Sequence, residues 1–432
     1  MNKLLQQVGI QDESYSLLKV SELIERKIID KPMDGNHGEI HPKGEDFVES
    51  GIPFVMASDI NNGHVDYKNC KFISKRQAES LRKGFAKNGD VLVTHKATIG
   101  RTAIVNYSEH EYIMLTPQVT YYRVVNHDVL NNLYLKYYFD STLFQKTLSL
   151  WAGAGSTRAY LGITAQHNLP IIVPPIEKQI KIGSILKSYD LLIENNNSRI
   201  ELLESMAKEV FHEWFIRFRF PNYQNSQFDK GKPTEWEFKP FSQCIELNPK
   251  ESLNKDDLKS YVGMEALSTK LMYFNSSESR TGNSGSKFRN GDVLFPRITP
   301  CLENGKRGFV MSLNENEVAL GSTEFIVFRA KDLTPEYIYF LSCYEPFRSH
   351  AENSMVGASG RQRVSESCFS FFLVSVPPKE VLSEFTKIVS PMFENIKLLM
   401  KQNENLIATR DSLLPRLISG KIDVDKLKIQ AS

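Results

Sequence analysis

The sequence has few of the features that mark several large classes of protein. Its five cysteines, Cys70, Cys244, Cys301, Cys343 and Cys368, are scattered and never in a CxxC spacing. An odd, scattered set argues against a disulfide framework and against structural zinc, so we expect a reducing compartment. No run of about 18 apolar residues occurs, and the first residues lack the apolar run of a signal peptide. We therefore predict a cytoplasmic protein without a membrane partner.

An excess of charge of either sign is also lacking. The 432 residues carry 53 Lys and Arg against 51 Asp and Glu, which gives a formal net charge of +2. Net charge therefore identifies no partner, and any surface for nucleic acid must be a local patch. The length allows two or three domains with sizeable cores.

Motifs for catalysis are incomplete wherever they begin. Gly153 to Gly155 is not followed by a βαβ pattern, and Gly305-Lys306 would need glycine where Pro300 stands. His212-Glu213 has no second histidine four residues later, so it is not a zinc-protease helix. Asn248-Pro249-Lys250 lacks the Pro-aromatic pair with which an amino-methyltransferase grips an extruded base. We predict no catalytic residue, no metal site and no cofactor bound by this chain.

The segment from Glu177 to Phe218 has the pattern of a long helix with a heptad seam. Its seam positions are Ile182, Leu186, Tyr189, Ile193, Asn196, Ile200, Leu203, Ala207, Val210 and Trp214. Ser188 and Asp190 predict a short first helix, a break, and then a long helix from about Tyr189 to Phe215. At 1.5 Å per residue the long helix would span roughly 40 Å, which suits a spacer.

The same pattern recurs 203 residues later, where Pro377-Pro378 repeats Pro174-Pro175. The second seam consists of Phe385, Val389, Met392, Ile396, Leu399, Asn403, Leu406, Arg410, Leu413 and Leu417. Ser390-Pro391 predicts the same break, because serine caps a helix and proline suits its first position. The apolar stripe of each predicted helix is narrow. The two helices therefore either pair with each other or pack separately, each on its own domain.

Pairing is the more economical interpretation of the two seams. It predicts one antiparallel seam in which Ile193, Ile200, Leu203 and Val210 face Ile396, Leu399, Leu406 and Leu413. Asn196 and Asn403 would then be polar residues that fix the register.

Before each helix lies a region of roughly 150 residues, and the two regions are related. The clearest match aligns Lys87 to Thr94 with Arg289 to Pro296, each an Asn-Gly-Asp turn leading into a strand. The predicted fold is mixed α+β: two α/β domains separated and followed by long helices that pair as an antiparallel coiled coil. The predicted segments are a first domain 1–175, a helical spacer 176–218, a second domain 219–376, a helical spacer 377–426 and a tail 427–432.

Polar, basic segments follow both Asn-Gly-Asp strands, and small flexible arginine-bearing loops precede both Pro-Pro pairs. Arginine and lysine suit phosphates and guanine, and serine and threonine can contact either backbone or bases. The alternative is a set of ordinary solvated loops. The candidate DNA-binding residues are Thr94, His95, Lys96, Thr98, Arg101, Ser156, Thr157, Arg158, Arg297, Thr299, Lys306, Arg307, Ser359, Arg361, Gln362 and Arg363.

These features together resemble the specificity subunits of type I restriction-modification enzymes over the whole length. The resemblance rests on the helix entries Val173 to Glu177 and Val376 to Glu380, and on the helix ends Phe211 to Phe215 and Leu413 to Ile422. It implies two target recognition domains, each reading half of a split site in double-stranded DNA. It also implies paired helices that space the domains and dock two methyltransferase subunits, and through them restriction subunits. S-adenosylmethionine, ATP and magnesium would be bound by those partners.

The two candidate DNA-binding sets differ: the first copy has His95-Lys96 where the second has Arg297-Ile298. We therefore expect an asymmetric DNA target. A structural coiled-coil protein would bind DNA only through a nonspecific, salt-sensitive interaction. A self-sufficient methyltransferase or nuclease would need the motifs that are absent. The specificity module of a related fused restriction-methylation system is a further alternative.

Overall fold

The computed structural model describes residues 5, 9–10, 12–107, 109–153, 159–274, 278–358 and 360–427. The described chain divides into two compact units. Unit 1 takes the residues up to Ile193 and those from Asn405 onwards, and unit 2 takes Glu194–Glu404. The boundaries therefore fall inside the two long helices and not at their ends. The mixed α+β class predicted from the sequence is confirmed.

Unit 1 combines short strands with short helices in front of the first long helix. Its helices are α1 (Val20–Glu25), α2 (Lys75–Glu79), α3 (Asn132–Asp140), α4 (Thr142–Trp151) and α5 (Ile163–Gln166). Its strands are β1 (Ser16–Lys19), β2 (Met33–Asp34), β3 (Phe47–Val48), β4 (Ile52–Val55), β5 (Ile60–Asn61), β6 (His64–Val65), β7 (Lys71–Ile73), β8 (Phe85–Ala86), β9 (Val91–Lys96), β10 (Thr98–Ile104), β11 (Ile113–Leu115), β12 (Val119–Tyr122) and β13 (Pro170–Val173).

The first long helix is α6 (Ile176–Phe211), and unit 2 continues with the same mixture of elements. Its short helices are α7 (Phe241–Cys244), α8 (Pro335–Cys343) and α9 (Glu345–Asn353), and the second long helix is α10 (Lys379–Ile418). Its strands are β14 (Phe228–Asp229), β15 (Lys232–Pro233), β16 (Glu237–Pro240), β17 (Ile245–Leu247), β18 (Lys259–Val262), β19 (Glu278–Arg280), β20 (Ser286–Phe288), β21 (Val293–Pro296), β22 (Gly308–Phe309), β23 (Ala319–Gly321), β24 (Phe325–Ala330) and β25 (Leu373–Val376).

The sheets of the two units share one topology. The order β10-β9-β12-β2 in unit 1 matches β22-β21-β24-β17 in unit 2. In each unit a second sheet contains one parallel pair, β4 with β11 and β18 with β23. In each unit an antiparallel pair, β1 with β13 and β16 with β25, joins an early strand to the last strand in front of the long helix. The relationship inferred from the sequence is therefore present in the strand order.

The Asn-Gly-Asp turns have a structural role in both units. Gly89 and Gly291 each have a φ of +89°, which glycine adopts at little cost. The aspartate that follows is buried and pairs with an arginine at an N···O distance of 2.7 Å. Asp90 pairs with Arg123, directly after β12, and Asp292 pairs with Arg329 of β24. The turn motif thus fixes the start of β9 and of β21.

The predicted break in each long helix is wrong. Helix α6 runs for 36 residues and α10 for 40 residues without interruption. Ser188 does not cap a new helix, because its hydroxyl donates to the carbonyl of Ile185 in the preceding turn. The Ser390 hydroxyl likewise donates to the Glu336 carboxylate, and Pro391 lies within the helix. A π-helical turn, His212–Ile216, follows α6.

The predicted antiparallel pairing of the long helices is confirmed, and it is visible within each unit. In unit 2 the ring of Trp214 lies 6.0 Å from that of Phe385, and Ile200, Ala207 and Phe211 share a core with Val389, Phe393, Ile396 and Leu399. In unit 1 Ile182 and Leu186 share a core with Leu414, Leu417 and Ile418. The N-terminal part of α6 therefore packs on the C-terminal part of α10 in unit 1, and the C-terminal part of α6 packs on the N-terminal part of α10 in unit 2. This is antiparallel pairing.

The seam residues chosen from the sequence are all shielded from solvent to some degree. Asn196, Ile200, Ile396, Leu399 and Asn403 are buried. Ile193, Leu203, Val210, Leu406 and Leu413 are half-buried. Val210 packs against the core of unit 2, whereas Leu413 packs against the core of unit 1.

Aromatic helices connect the sheets to this seam. Tyr134, Tyr137 and Phe139 of α3 are buried in unit 1, as are Tyr337 and Tyr339 of α8 in unit 2. Asp190 of α6 accepts the Tyr137 hydroxyl and pairs with Arg410 of α10 at 2.7 Å. Each sheet domain is thereby fixed to helix residues of its own unit.

Candidate nucleic-acid interface

The basic segment predicted as a loop in the first domain is a β-hairpin. Strand β9 ends at Lys96, β10 begins at Thr98, and Ala97 between them has a φ of +64°. The pairing brings Thr98 opposite Lys96 and Ile99 opposite His95. The segment is therefore part of a sheet, with an irregularity in the pairing between Ile99 and Thr102.

Thr94 and His95 lie in the protein interior, not on the surface where the sequence analysis placed them. Both are 0% exposed, because β9 is the inner strand between β10 and β12. The hydroxyl oxygen of Thr94 accepts the amide N–H of Arg101 at 2.9 Å. Neither side chain reaches the surface, so the proposed interface does not include Thr94 or His95.

His95 holds the hairpin to the segment that follows the first glycine-rich loop. Its Nδ1 lies 3.0 Å from the carbonyl oxygen of Leu161. A carbonyl can only accept, so Nδ1 carries the proton and Nε2 is an acceptor, which has no partner among the described residues. Burial lowers the pKa of His95, so the ring is neutral near pH 7.

The exposed part of this hairpin carries Lys96, Thr98 and Arg101. The Lys96 ammonium lies 5.9 Å from the ring centre of Tyr160, an exposed aromatic that the sequence analysis missed. Arg101 is held by its Nη1, which donates to Asn61 Oδ1 at 2.9 Å and to the carbonyls of Ala57 and Ile60. Arg101 is thus held in place by three acceptors, and Lys96 contacts the Tyr160 ring.

The hairpin of unit 1 lies beside the segment Ala159 to Leu161, which follows the first glycine-rich loop in the sequence. The amide of Ala97 donates to the carbonyl of Ala159, and that of Leu161 donates to the carbonyl of His95. Candidates Ser156, Thr157 and Arg158 come directly before Ala159 in the sequence and lie outside the described residues. The fold therefore brings together segments separated by more than sixty positions in the chain.

Unit 2 repeats this arrangement at the end of β21. The amide of Thr299 donates to the carbonyl of Gln362, and the amide of Gln362 donates back to the Thr299 hydroxyl, both at 3.1 Å. The amide of Val364 donates to the carbonyl of Arg297 at 2.8 Å. Ser359 lies outside the described residues. In each unit the strand end thus meets the segment in front of the last strand.

Arg297, Lys306 and Arg307 are anchored within the protein. Arg297 donates to Glu366 at 3.0 Å and to the carbonyl of Val364 at 3.2 Å. The Lys306 ammonium donates to the carbonyl of Met264 at 2.7 Å.

Arg307 uses all three of its guanidinium nitrogens inside unit 2. They donate to the Tyr339 hydroxyl and to the carbonyls of Thr269 and Lys270. Its guanidinium also lies 3.6 Å from the carboxylate of Glu204, a residue of α6. The position of Arg307 indicates a structural role.

Arg361 and Arg363 stand at the exposed edge of the second segment, with Gln362 half-buried between them. Arg363 is paired with Glu324, whose carboxylate comes directly before β24. The sequence analysis missed Glu324 and Glu366, because a single glutamate beside a strand or in a loop carries no pattern that indicates its partner. The described face of unit 2 is therefore a set of arginine-carboxylate pairs and not a uniformly basic patch.

Other kinds of site have less support in the described chain. No three His, Cys, Asp or Glu side chains come together there as metal ligands. A cavity of about 550 Å³ next to Arg297 is lined by polar residues that include Asn248, Lys250 and Lys287. Every described helix is too short or too polar to cross a lipid bilayer.

Comparison with known proteins places these observations in a family context. Residues 20–205 match the family model described as the type I restriction modification DNA specificity domain. The MjaIX type I restriction enzyme specificity subunit of Methanocaldococcus jannaschii is 24% identical over 393 residues, covering 87% of this chain and 88% of the relative. The EcoKI specificity subunit of Escherichia coli K12 is 21% identical over 384 residues, covering 85% of this chain and 81% of the relative.

The fold has a counterpart among solved structures. The type I restriction-modification system S subunit from M. genitalium matches 95% of this chain and 96% of its own with a TM-score of 0.53. The sequence identity in that comparison is 14%. The likeness therefore concerns the fold.

Proposed function

We propose that the chain is a specificity subunit of a type I restriction-modification system, which the family model and the full-length relatives support, and that it reads a bipartite, asymmetric site in double-stranded DNA. Each domain recognises one half of the site. The hairpin edge at Lys96, Thr98 and Arg101, with the loop of Ser156 to Arg158, serves the first half. The segment Arg361 to Arg363 and its neighbours serve the second half.

One observation carries this proposal: the same pair of chain segments meets in both units. His95 joins Leu161 in unit 1, and Arg297 joins Val364 in unit 2, through backbone hydrogen bonds at the end of equivalent strands. The backbone arrangement is the same in both units, but the side chains that it presents differ. Two domains built in this way can recognise two different half-sites. Side chains at such edges can donate to base edges in the major groove, while lysines contact phosphates.

The paired helices fix the spacing between the two recognition domains and dock two methyltransferase subunits, through which restriction subunits join. The seam of Ile200, Ile396 and Leu399 supports a rigid spacer, because these side chains are fully or almost fully buried. Leu191, Leu202, Met206 and Leu398 remain exposed on the same helices and offer apolar surface to partner subunits.

The chain contributes recognition and no chemistry to the complex. S-adenosylmethionine, ATP and magnesium are bound by the partner subunits, and the complex acts in the cytoplasm. The purified chain alone neither methylates nor cleaves DNA. Turnover by a preparation shown to be free of partners would contradict this part of the proposal.

Domain exchange tests the proposal as a whole. Residues 1 to 172 are replaced by the corresponding domain of a relative, and the chimera is expressed with the methyltransferase subunit. Sequencing of methylated bases in the host genome then gives the motif. We expect one half of the motif to change, while the other half and the spacing between them stay the same. A change of both halves, or a new spacing with intact helices, would refute independent reading.

A further inference from the structure

Arg363 is held in one orientation and still has a free donor edge. Its Nε donates to both oxygens of Glu324, at 3.1 and 2.9 Å, and its Nη2 donates to Oε1 at 2.6 Å. These bonds occupy the side edge of the guanidinium, formed by Nε and Nη2. The end edge, formed by Nη1 and the second hydrogen of Nη2, has no partner among the described residues. A guanidinium has five N–H donors in a fixed plane, so the carboxylate also fixes the direction of this edge.

Exposure shows which side of the pair is accessible. The Arg363 side chain is 48% exposed and that of Glu324 is 23% exposed. Arg363 is therefore the more accessible partner of the pair, and Glu324 is the more buried one. The Arg363 guanidinium lowers the pKa of Glu324, so the carboxylate stays charged at neutral pH and the pair persists.

The backbone around this pair is also fixed. The amide and carbonyl of Arg363 pair with those of Val356, and the amide of Arg297 donates to the carbonyl of Glu324. Arg297 in turn holds Glu366 and the carbonyl of Val364. Both partners of the pair are thus mounted on segments connected by hydrogen bonds to the end of β21.

No other described candidate arginine combines a carboxylate partner with two free adjacent donors. Arg307 uses Nε, Nη1 and Nη2 within the protein. Arg297 has both terminal nitrogens engaged. Arg101 is held through Nη1 by an amide oxygen and two carbonyls and keeps Nε and Nη2 free, but within the described residues no carboxylate pairs with it. Arg361 is exposed and, within the described residues, its side chain makes no hydrogen bond or ion pair, so nothing fixes its direction.

We propose that Arg363, oriented by Glu324, reads a guanine in the half-site of the second domain through its free Nη1 and Nη2 edge. Guanine presents O6 and N7 in the major groove, and their spacing matches two parallel N–H donors of one arginine. Glu324 is a positioning residue that acts through Arg363. Its negative charge also disfavours a phosphate at this place, so the pair discriminates against backbone contact. This inference rests on the proposed function.

The experiment uses the full chain in complex with its methyltransferase subunit. Methylated motifs are determined in host cells that express the wild type, Arg363→Ala, Arg363→Lys, Glu324→Gln and Arg361→Ala. The domain exchange described above identifies which half-site belongs to the second domain. Melting temperatures of the purified complexes confirm that each variant is folded.

We expect Arg363→Ala to relax one G·C position of that half-site, with discrimination reduced by roughly ten- to hundredfold. Arg363→Lys relaxes the same position, because a lysine cannot make the paired contact. Glu324→Gln lowers discrimination at that position and raises affinity for unrelated DNA, since a negative charge is removed. A residue with only a structural role would lower affinity for both kinds of DNA. Arg361→Ala, two residues away in the same segment, leaves discrimination at that G·C position intact, which assigns the contact to Arg363 and not to its neighbour.

Two outcomes overturn the inference and leave the proposed function intact. One is a wild-type motif whose second half contains no G·C pair. The other is an Arg363→Ala variant that keeps the full motif and loses affinity for every sequence, as a phosphate contact would. If the wild-type complex yields no bipartite motif at all, the proposed function itself fails, and that result is separate from either of these.

Discussion

Asn196 and Asn403 are hydrogen-bonded to each other in the interior of unit 2, with Nδ2 of Asn196 2.9 Å from Oδ1 of Asn403. The amide group of Asn403 also donates to Oδ1 of Asn197 at 2.9 Å. One residue of α10 is therefore bonded to two successive residues of α6. A slip of the helices by one heptad would leave both buried amides without partners, so the pair favours a single register.

This contact gives the first prediction. Asn403→Ala should lower the free energy of unfolding by about 1 to 3 kcal/mol, because the buried amide of Asn196 loses its acceptor. Replacing both asparagines with leucine should recover stability, since no polar group is then left unpaired. Urea unfolding followed by circular dichroism measures both effects. A single variant as stable as the wild type would show that the hydrogen bond contributes little.

The second prediction concerns the apolar seam. Ile200 is fully buried, and Ile200→Ala should cost about 2 to 5 kcal/mol because it leaves a cavity. Leu202, two positions along the same helix, is 61% exposed and provides the matched control. Leu202→Ala should change stability by no more than about 0.5 kcal/mol. Equal melting temperatures for the two variants would mean that the seam is misassigned.

The third prediction concerns the buried histidine. Burial lowers the pKa of His95 below its ordinary value of 6.5. The unfolded chain therefore takes up a proton at a higher pH than the folded chain. The free energy of unfolding should then fall as pH drops from about 6.5 towards the folded pKa, by up to about 1.4 kcal/mol per pH unit.

Melting curves between pH 7.5 and pH 5 for the wild type and His95→Asn measure this effect, because asparagine can still donate to Leu161 and does not titrate. The exposed His127, replaced in the same way, controls for the substitution itself. The wild type should lose stability relative to His95→Asn on acidification. A constant difference across that range would rule out the buried neutral ring.

The fourth prediction separates structure from recognition at Arg307. Because its guanidinium bonds the Tyr339 hydroxyl and faces Glu204, Arg307→Ala should destabilise unit 2 by about 3 kcal/mol or more. The exposed Arg361→Ala should leave the melting temperature nearly unchanged. Thermal unfolding of the two variants makes the comparison. An Arg307→Ala protein with normal stability and an altered methylation motif would return this residue to the recognition surface.

The sequence could predict the features that repeat. An offset of 203 residues aligned the Pro-Pro pairs and both seams, and an offset of 202 residues aligned the Asn-Gly-Asp turns. The period of the apolar residues also indicates which face of a helix is buried. It did not predict helix continuity at Ser188 and Ser390. Local signals favoured a cap there, but the packing of both helices along the seam outweighs one serine or one proline.

The recognition surface was predicted less well, because exposure depends on contacts between distant segments. His95 looked like a polar loop residue in its local context, and its burial follows from the position of β9 inside a sheet and from the bond to Leu161. Glu324 was missed because it lies almost forty positions from Arg363. Pairing at that separation leaves no periodic pattern in the chain.

The composition of unit 1 has a consequence for the order of events during protein synthesis. Its core includes Leu414, Leu417, Ile418 and Val424, which a ribosome adds only after the whole of Glu194–Glu404. At about 5 to 20 residues per second, those roughly 200 residues take on the order of ten to forty seconds. During that interval the apolar side of the nascent first domain, including Ile182 and Leu186, lacks these core partners. A newly made first domain therefore exposes apolar surface of the kind that chaperones bind. Unit 2 is one continuous segment, so it can complete its core before unit 1 does.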